Sequence, residues 1–165
     1  MCWQPSKAGS DAMQSLELKI PPPLVALATG ALMWFAASLV PPFVLPDTLR
    51  VGVAVILAIT GISLDLTGLV AFIRAKTTIN PLKPASSTAL VTSGLYRFTR
   101  NPMYLGMLLV LLGWAVFLSS LAALLVAPLF VLYINRFQIA PEERVLEEKF
   151  GAAFTDYTRR VRRWL

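Results

Sequence analysis

The sequence predicts an all-α integral membrane bundle of about four transmembrane helices, the last two forming a helical hairpin, with a cytoplasmic C-terminal amphipathic helix. Three observations carry this. Apolar residues make up 56% of the 165 and the mean hydropathy is +0.67. Charge is missing from Ile20 to Pro46, from Val51 to Ile73 except at Asp65, and from Asn101 to Asn135. The basic residues that remain are gathered between and beyond those runs. An uncharged apolar run of about 20 residues is what a helix needs to cross the hydrocarbon core.

The first run predicts a span near Leu24–Leu45, with Pro41-Pro42 forcing a kink or early exit at its far end. The second predicts a span over Val51–Ile73. Gly61, Asp65 and Gly68 recur there at i, i+4 and i+7 and share one face. Small residues at that spacing let another helix approach closely, which places Asp65 inside the bundle. Asp65 is then either a polar group facing a buried site or a hydrogen-bonded carboxyl that joins helices.

The third run is too long for one crossing, since a single helix over it would measure about 50 Å. A break at Ser119-Ser120, within "LSSLAA", divides it into two short helices joined by a tight turn. Four crossings put Met1–Pro23, the middle loop and the C-terminal segment on one side. Those segments hold all but one of the 15 Lys and Arg, the exception being Arg50. By the positive-inside rule both termini are cytoplasmic. The net charge of +6 therefore reads as attraction to anionic headgroups rather than to nucleic acid.

The rest of the composition excludes several chemistries. Cys2 is the one cysteine and there is no histidine, so internal disulfides and Ser-His or Cys-His pairs are ruled out, and no residue cluster resembles a metal site. Residues 1–23 read as a polar N-terminal segment without a cleaved signal peptide, Met13 being an alternative start, and residues 24–165 as a single domain.

The loop between the second and third runs, "RAKTTINPLKPASSTALVTSGLYRFTR", is broken by Pro81, Pro84 and Ser86-Ser87, and "TALVTSGLY" reads as a short extended or turn segment closed by Gly94. Leu82, Leu90, Val91, Leu95, Tyr96 and Phe98 make it too apolar for a free linker, so it should fold back on the cytoplasmic mouth of the bundle. Beyond Asn135, Pro141 is expected to open an amphipathic helix bent near Gly151. Arg159, Arg160, Arg162, Arg163 and Trp164 at its end suit a headgroup surface.

Two constellations bear on chemistry. In "YRFTRNPMYLG", Asn101 reads as an N-cap and Pro102 as the first helical residue. The free N–H groups there, with Arg97 and Arg100 just upstream, make an anion site; the plain alternative is a helix start whose arginines reach lipid phosphates. Glu142-Glu143 after Pro141 either complement a helix dipole or face the mouth as carboxylates for an amine or hydroxyls. Together the two halves suit a zwitterionic, amino-acid-like ligand.

The order "ALVTSGLYRFTRNPMYLG", an uncharged hairpin and "EERVLEEKFGAAFTDYTRRVRRWL" resembles the isoprenylcysteine carboxyl methyltransferase and phospholipid methyltransferase superfamily, from about Thr77 to the C-terminus. The resemblance implies a membrane enzyme that uses S-adenosylmethionine. It implies cofactor contacts at Thr88, Ala89, Leu90, Val91, Tyr96, Asn101, Pro102, Met103, Tyr104 and Glu142. Asn101 stands where that family usually has histidine; both side chains donate hydrogen bonds. Where the carboxyl methyltransferases have a substrate-holding arginine, this chain has Gln138, with Arg136 as the nearest basic residue. The implied acceptor is lipophilic or small, with membrane lipid as partner. An amine acceptor would need a base, for which Asp65 and Glu143 are the candidates. Two rival readings are a small four-span transporter working through Asp65 and a non-catalytic membrane protein of the same fold.

Overall fold

The uncharged runs are helical in the computed structural model, which describes residues 17–77 and 84–165. Expectations that fall on Cys2, Met13, Pro81 and Leu82 lie outside the described residues. The α-helices are α1 (Pro22–Ser38), α2 (Asp47–Arg74), α3 (Pro102–Phe117), α4 (Leu121–Ile134), α5 (Ala140–Phe150) and α6 (Ala152–Arg160), with 3-10 turns at Pro84–Ser86 and Gly94–Arg97. A π-helical turn, Asn135–Ile139, joins α4 to α5 without a break.

Among the described residues, two helices are long and apolar enough to cross a membrane: α2, and the continuous helix Leu121–Phe150. At 28 residues α2 measures about 42 Å. Helices α1 and α3 are apolar but shorter. Leu27, Trp34, Ile56, Ile59, Leu125 and Leu132 all face outward, as lipid-facing side chains do.

α1 starts one residue after Pro21, with proline in its first turn where a missing N–H costs nothing. It stops at Ser38, three residues before Pro41-Pro42. The sequence-based span to Leu45 is therefore too long: Leu39–Pro46 is not helical. α3 and α4 are separated by Leu118–Ser120. Ser119 takes a positive φ of 49°, and the Ser120 hydroxyl accepts from the Ala123 N–H at 3.2 Å to cap α4.

α2 and α3 lie backbone to backbone. A Cβ on Gly61 would sit 2.5 Å from the Gly106 carbonyl oxygen, and one on Gly113 2.9 Å from that of Ala54. The glycine face read from the sequence is thus the seam of this pair, with Asp65 set against Gly106. On the other side, Val25 and Met33 of α1 pack with Ala123, Ala127, Phe130 and Ile134 of α4. The Trp114 indole donates to the Gly30 carbonyl at 3.1 Å and ties α3 to α1.

Pro141 does not open the C-terminal helix. It lies one residue inside α5, and the helix runs straight through it. Proline lacks the N–H that an α-helix would direct to the carbonyl four residues back, and its ring crowds that carbonyl. The π turn immediately before it absorbs the conflict. The Phe137 carbonyl accepts instead from the Leu18 N–H at 3.0 Å. Gln138, wholly buried, donates to the Ile20 carbonyl at 2.7 Å, and Glu17 pairs with Arg136 at 2.7 Å and with Arg144. The chain ahead of α1 is therefore clamped onto this junction.

Gly151, at φ 51°, separates α5 from α6, a conformation that favours glycine. Beyond Arg160 the chain is extended and returns to the bundle. The four arginines do not continue one surface helix, because Val161 is buried with Phe154 and Tyr157 in a second small core.

Candidate functional site

The site is built where three stretches meet: the loop before α3, the first turns of α3, and α5 with α6. Gly94, at φ 62°, turns the chain into the 3-10 segment that buries Tyr96. The Tyr157 hydroxyl then donates to the Tyr96 carbonyl at 2.7 Å, which fixes α6 against this loop. Burial, with smaller contributions from neighbouring Tyr157 and Glu142, pushes the Tyr96 phenol above its ordinary range. Burial also raises Tyr157 to about 12, with Arg100 opposing. Both phenols therefore stay protonated near neutral pH.

The start of α3 is held from an unexpected side. Asn101 occupies the N-cap position, yet its side chain makes no capping bond. Its amide instead donates to the Arg163 carbonyl at 2.9 Å, and the Arg100 N–H donates to the Arg162 carbonyl at 3.0 Å. Thr99 adds a bond to Arg163 at 3.3 Å. The extended C-terminus is thus a strap across the helix start, which corrects the expectation of a capping asparagine. Local preference for the cap is outweighed here by an unpaired carbonyl on the returning strap.

Glu143 locks the same corner. Arg100 pairs with it at 3.1 Å, and Arg163 grips it with two bonds at 3.2 and 2.5 Å. Both of its oxygens are engaged, so its place in the structure is that of a clamp between α3 and the strap. Trp164 closes the strap by donating to the Asn135 side-chain oxygen at 3.0 Å.

Between these walls lies a cavity of about 320 Å³, at the lower end of the range for small-molecule sites. Ala89, Leu90, Val91, Tyr96, Asn101, Met103, Tyr104 and Glu142 line it. Thr88 and Pro102 are not on its wall; Thr88 is turned to Thr77, whose hydroxyl accepts from its N–H at 2.8 Å. The lining also holds Phe72 of α2, Pro22 and Pro23 of α1, Met107, Ile139, Leu146, Phe154, Tyr157, Arg100 and Glu143. Sequence reasoning did not place Phe72, the α1 prolines or Met107 there, because only tertiary packing brings them in. Phe154 and Tyr157 carried a signal, the Phe-Gly-x-x-Phe-x-x-Tyr spacing.

Two features give the cavity polarity. The Tyr104 hydroxyl donates to the Glu142 carboxylate at 3.2 and 3.1 Å, and among the described residues Glu142 has no cationic partner. Arg100 also lines the cavity, and its buried Nε lacks a hydrogen-bond partner among the described residues. Glu142 and Arg100 thus bring opposite charges to one largely apolar chamber.

Other sequence candidates lie elsewhere. Arg136 and Gln138 sit in the π turn, occupied by Glu17 and the Ile20 carbonyl, and neither lines the cavity. Asp65 is on the α2–α3 seam, with its Oδ1 buried and unpartnered among the described residues. Arg97 points away from the cavity into a separate surface cleft.

Fold and site together define a helical membrane protein with a cavity of small-molecule size at the polar end of its bundle. The chain belongs to the phospholipid methyltransferase family, whose model matches residues 49–153. That range runs from the first turn of α2 into α6 and includes most of the cavity wall. An uncharacterized protein of Haemophilus influenzae is 51% identical over 63 residues, which is 38% of this chain and 100% of that relative. No solved structure matches.

Proposed function

We propose that this protein is an S-adenosylmethionine-dependent methyltransferase that crosses the membrane four times, α3 and α4 forming a hairpin, with both termini cytoplasmic. The acceptor is lipophilic or small, and the family's name favours a lipid. The observation that carries this reading is the presence of Glu142 and Arg100 together on the chamber wall. Glu142, without a cationic partner among the described residues, suits an ammonium or ribose hydroxyls, and the Arg100 guanidinium on the same wall suits a carboxylate. Leu90, Val91, Met103, Leu146 and Phe154 supply the apolar surface an adenine requires.

When bound, S-adenosylmethionine supplies a methyl group already activated by its sulfonium charge. The chain's own task is then to bind, orient and exclude water, which suits a site without histidine. Tyr104 holds the Glu142 carboxylate in place, and the Glu143 clamp holds Arg100. Titration of the purified protein with S-adenosylhomocysteine tests the reading: saturable binding that Glu142→Ala removes is expected. Absence of binding by the folded wild type overturns it.

A transport reading would rest on Asp65, whose Oδ1 is unpartnered among the described residues. It requires Asp65→Asn to abolish activity while Glu142→Ala is tolerated. The methyltransferase reading requires the opposite order of sensitivity.

A further inference from the structure

Beside the cofactor chamber lies a recess that the methyltransferase reading leaves unused. A cleft of about 250 Å³ is lined by Thr92, Arg97, Tyr157, Arg160 and Val161. Arg97 ends the 3-10 segment and Arg160 ends α6, so the two come from distant parts of the chain. The bond from the Tyr157 hydroxyl to the Tyr96 carbonyl at 2.7 Å brings those elements together. Tyr157 lines both the cleft and the chamber.

The lining is rich in donors and short of counter-charge. Among the described residues Arg97 has no carboxylate partner, and Arg160 donates only its Nε, to the Asp156 carbonyl of its own helix at 3.1 Å. Among the described residues no carboxylate lines the cleft. Asp156, the nearest acid in sequence, is paired with Arg159 at 3.7 Å. Two guanidiniums facing one recess without an anion repel each other, and planar forks of donors match phosphate oxygens. Phe98, next to Arg97, is 73% exposed. An exposed aromatic beside a cationic recess is an arrangement suited to a bilayer surface, where the ring enters the headgroup layer.

We propose that this cleft binds the phosphate of an anionic phospholipid headgroup, with Arg97 and Arg160 as its two donors. The site is independent of the chemistry assigned to the chamber. The test is lipid retention by the full-length detergent-purified protein, read by native mass spectrometry, with phosphatidylglycerol against phosphatidylcholine. Wild type is expected to retain phosphatidylglycerol selectively, even in excess inorganic phosphate. At roughly fivefold per arginine, Arg97→Gln with Arg160→Gln should lower retention on the order of 30-fold. Arg159→Gln, outside the cleft, should leave retention unchanged, and Arg97→Lys with Arg160→Lys should restore much of it. Retention of phosphatidylglycerol by the folded double glutamine variant at the wild-type level overturns the proposal. An equal loss in Arg159→Gln also overturns it, since diffuse surface charge would then suffice. Displacement of the lipid by inorganic phosphate would refute the lipid assignment in favour of a soluble ligand.

Discussion

The Tyr104 hydroxyl donates to both oxygens of the Glu142 carboxylate, at 3.2 and 3.1 Å, and joins the first turn of α3 to the first turn of α5 across the chamber. The two residues are 38 apart in sequence and belong to helices on opposite sides of the site. Removing the acid takes away the one carboxylate not already held by an arginine in this wall. Glu142→Gln should weaken S-adenosylhomocysteine binding by about 10- to 100-fold, the worth of a charge-assisted hydrogen bond. Tyr104→Phe should cost less, about three- to tenfold, because Glu142 remains but is no longer oriented. Calorimetric titration of both variants checks the order; a larger loss in Tyr104→Phe than in Glu142→Gln would refute it.

The strap across the start of α3 predicts a long-range effect. Arg163 lies outside the chamber, yet it fills Glu143, and Glu143 holds Arg100 on the chamber wall. Arg163→Ala should therefore release one side of Glu143 and loosen Arg100. We expect a lower unfolding midpoint, corresponding to about 1–3 kcal/mol, and weaker cofactor binding in the same variant. Arg162→Ala, exposed and bonded only through its backbone, is the control and should behave as wild type. Matching losses in the two variants would show that Glu143 does not carry the effect.

How much of this was legible beforehand depended on the range of the interactions. The uncharged runs marked the helices because exclusion of charge is a property of each segment alone. The glycines of α2 were legible as a seam, since a 3.6-residue period needs no partner to be seen. Asn101 was misread because its capping preference is local, while the carbonyl that captures it belongs to Arg163 at the other end of the chain. Pro141 was misread for a related reason: the π turn and Leu18, not its neighbours in sequence, accommodate it. Most of the candidate residues on the cavity wall came from resemblance, and packing added Phe72 and Met107, which no motif marks.

The α2–α3 seam predicts that two glycines of similar sequence setting behave differently. A Cβ at Gly106 would collide with the Asp65 carboxylate and lie 2.5 Å from the Gly61 carbonyl oxygen. Gly106→Ala must therefore push the helices apart, at a cost of about 1–3 kcal/mol or more. A Cβ at Gly52, near the start of α2, would meet nothing within 4 Å. Gly52→Ala should be neutral or stabilising by up to about 1 kcal/mol, through helix propensity alone. Thermal unfolding in detergent separates them, and equal midpoints would contradict the close approach.

The junction at Pro141 predicts that the chain ahead of α1 is held by a defect in a helix. The Phe137 carbonyl accepts the Leu18 N–H at 3.0 Å, and residue 141 has no N–H to offer it. Pro141→Ala restores that donor and removes the ring that crowds the carbonyl, so α5 should continue smoothly into α4. The helix itself gains stability, since proline costs about 3 kcal/mol relative to alanine in a helix interior. Leu18 should nevertheless lose its partner, because the Phe137 carbonyl is drawn back into the helical ladder. Amide exchange at Leu18 should accelerate about tenfold for each 1.4 kcal/mol of lost protection, while the amides of α2 stay unchanged. Gln138→Ala attacks the same junction differently: it removes the donor to Ile20 and keeps the proline. It should expose residues 17–20 to proteolysis without straightening the helix. Unchanged protection at Leu18 in Pro141→Ala would show that the Glu17 ion pairs and the Gln138–Ile20 bond hold this segment without the Phe137 carbonyl.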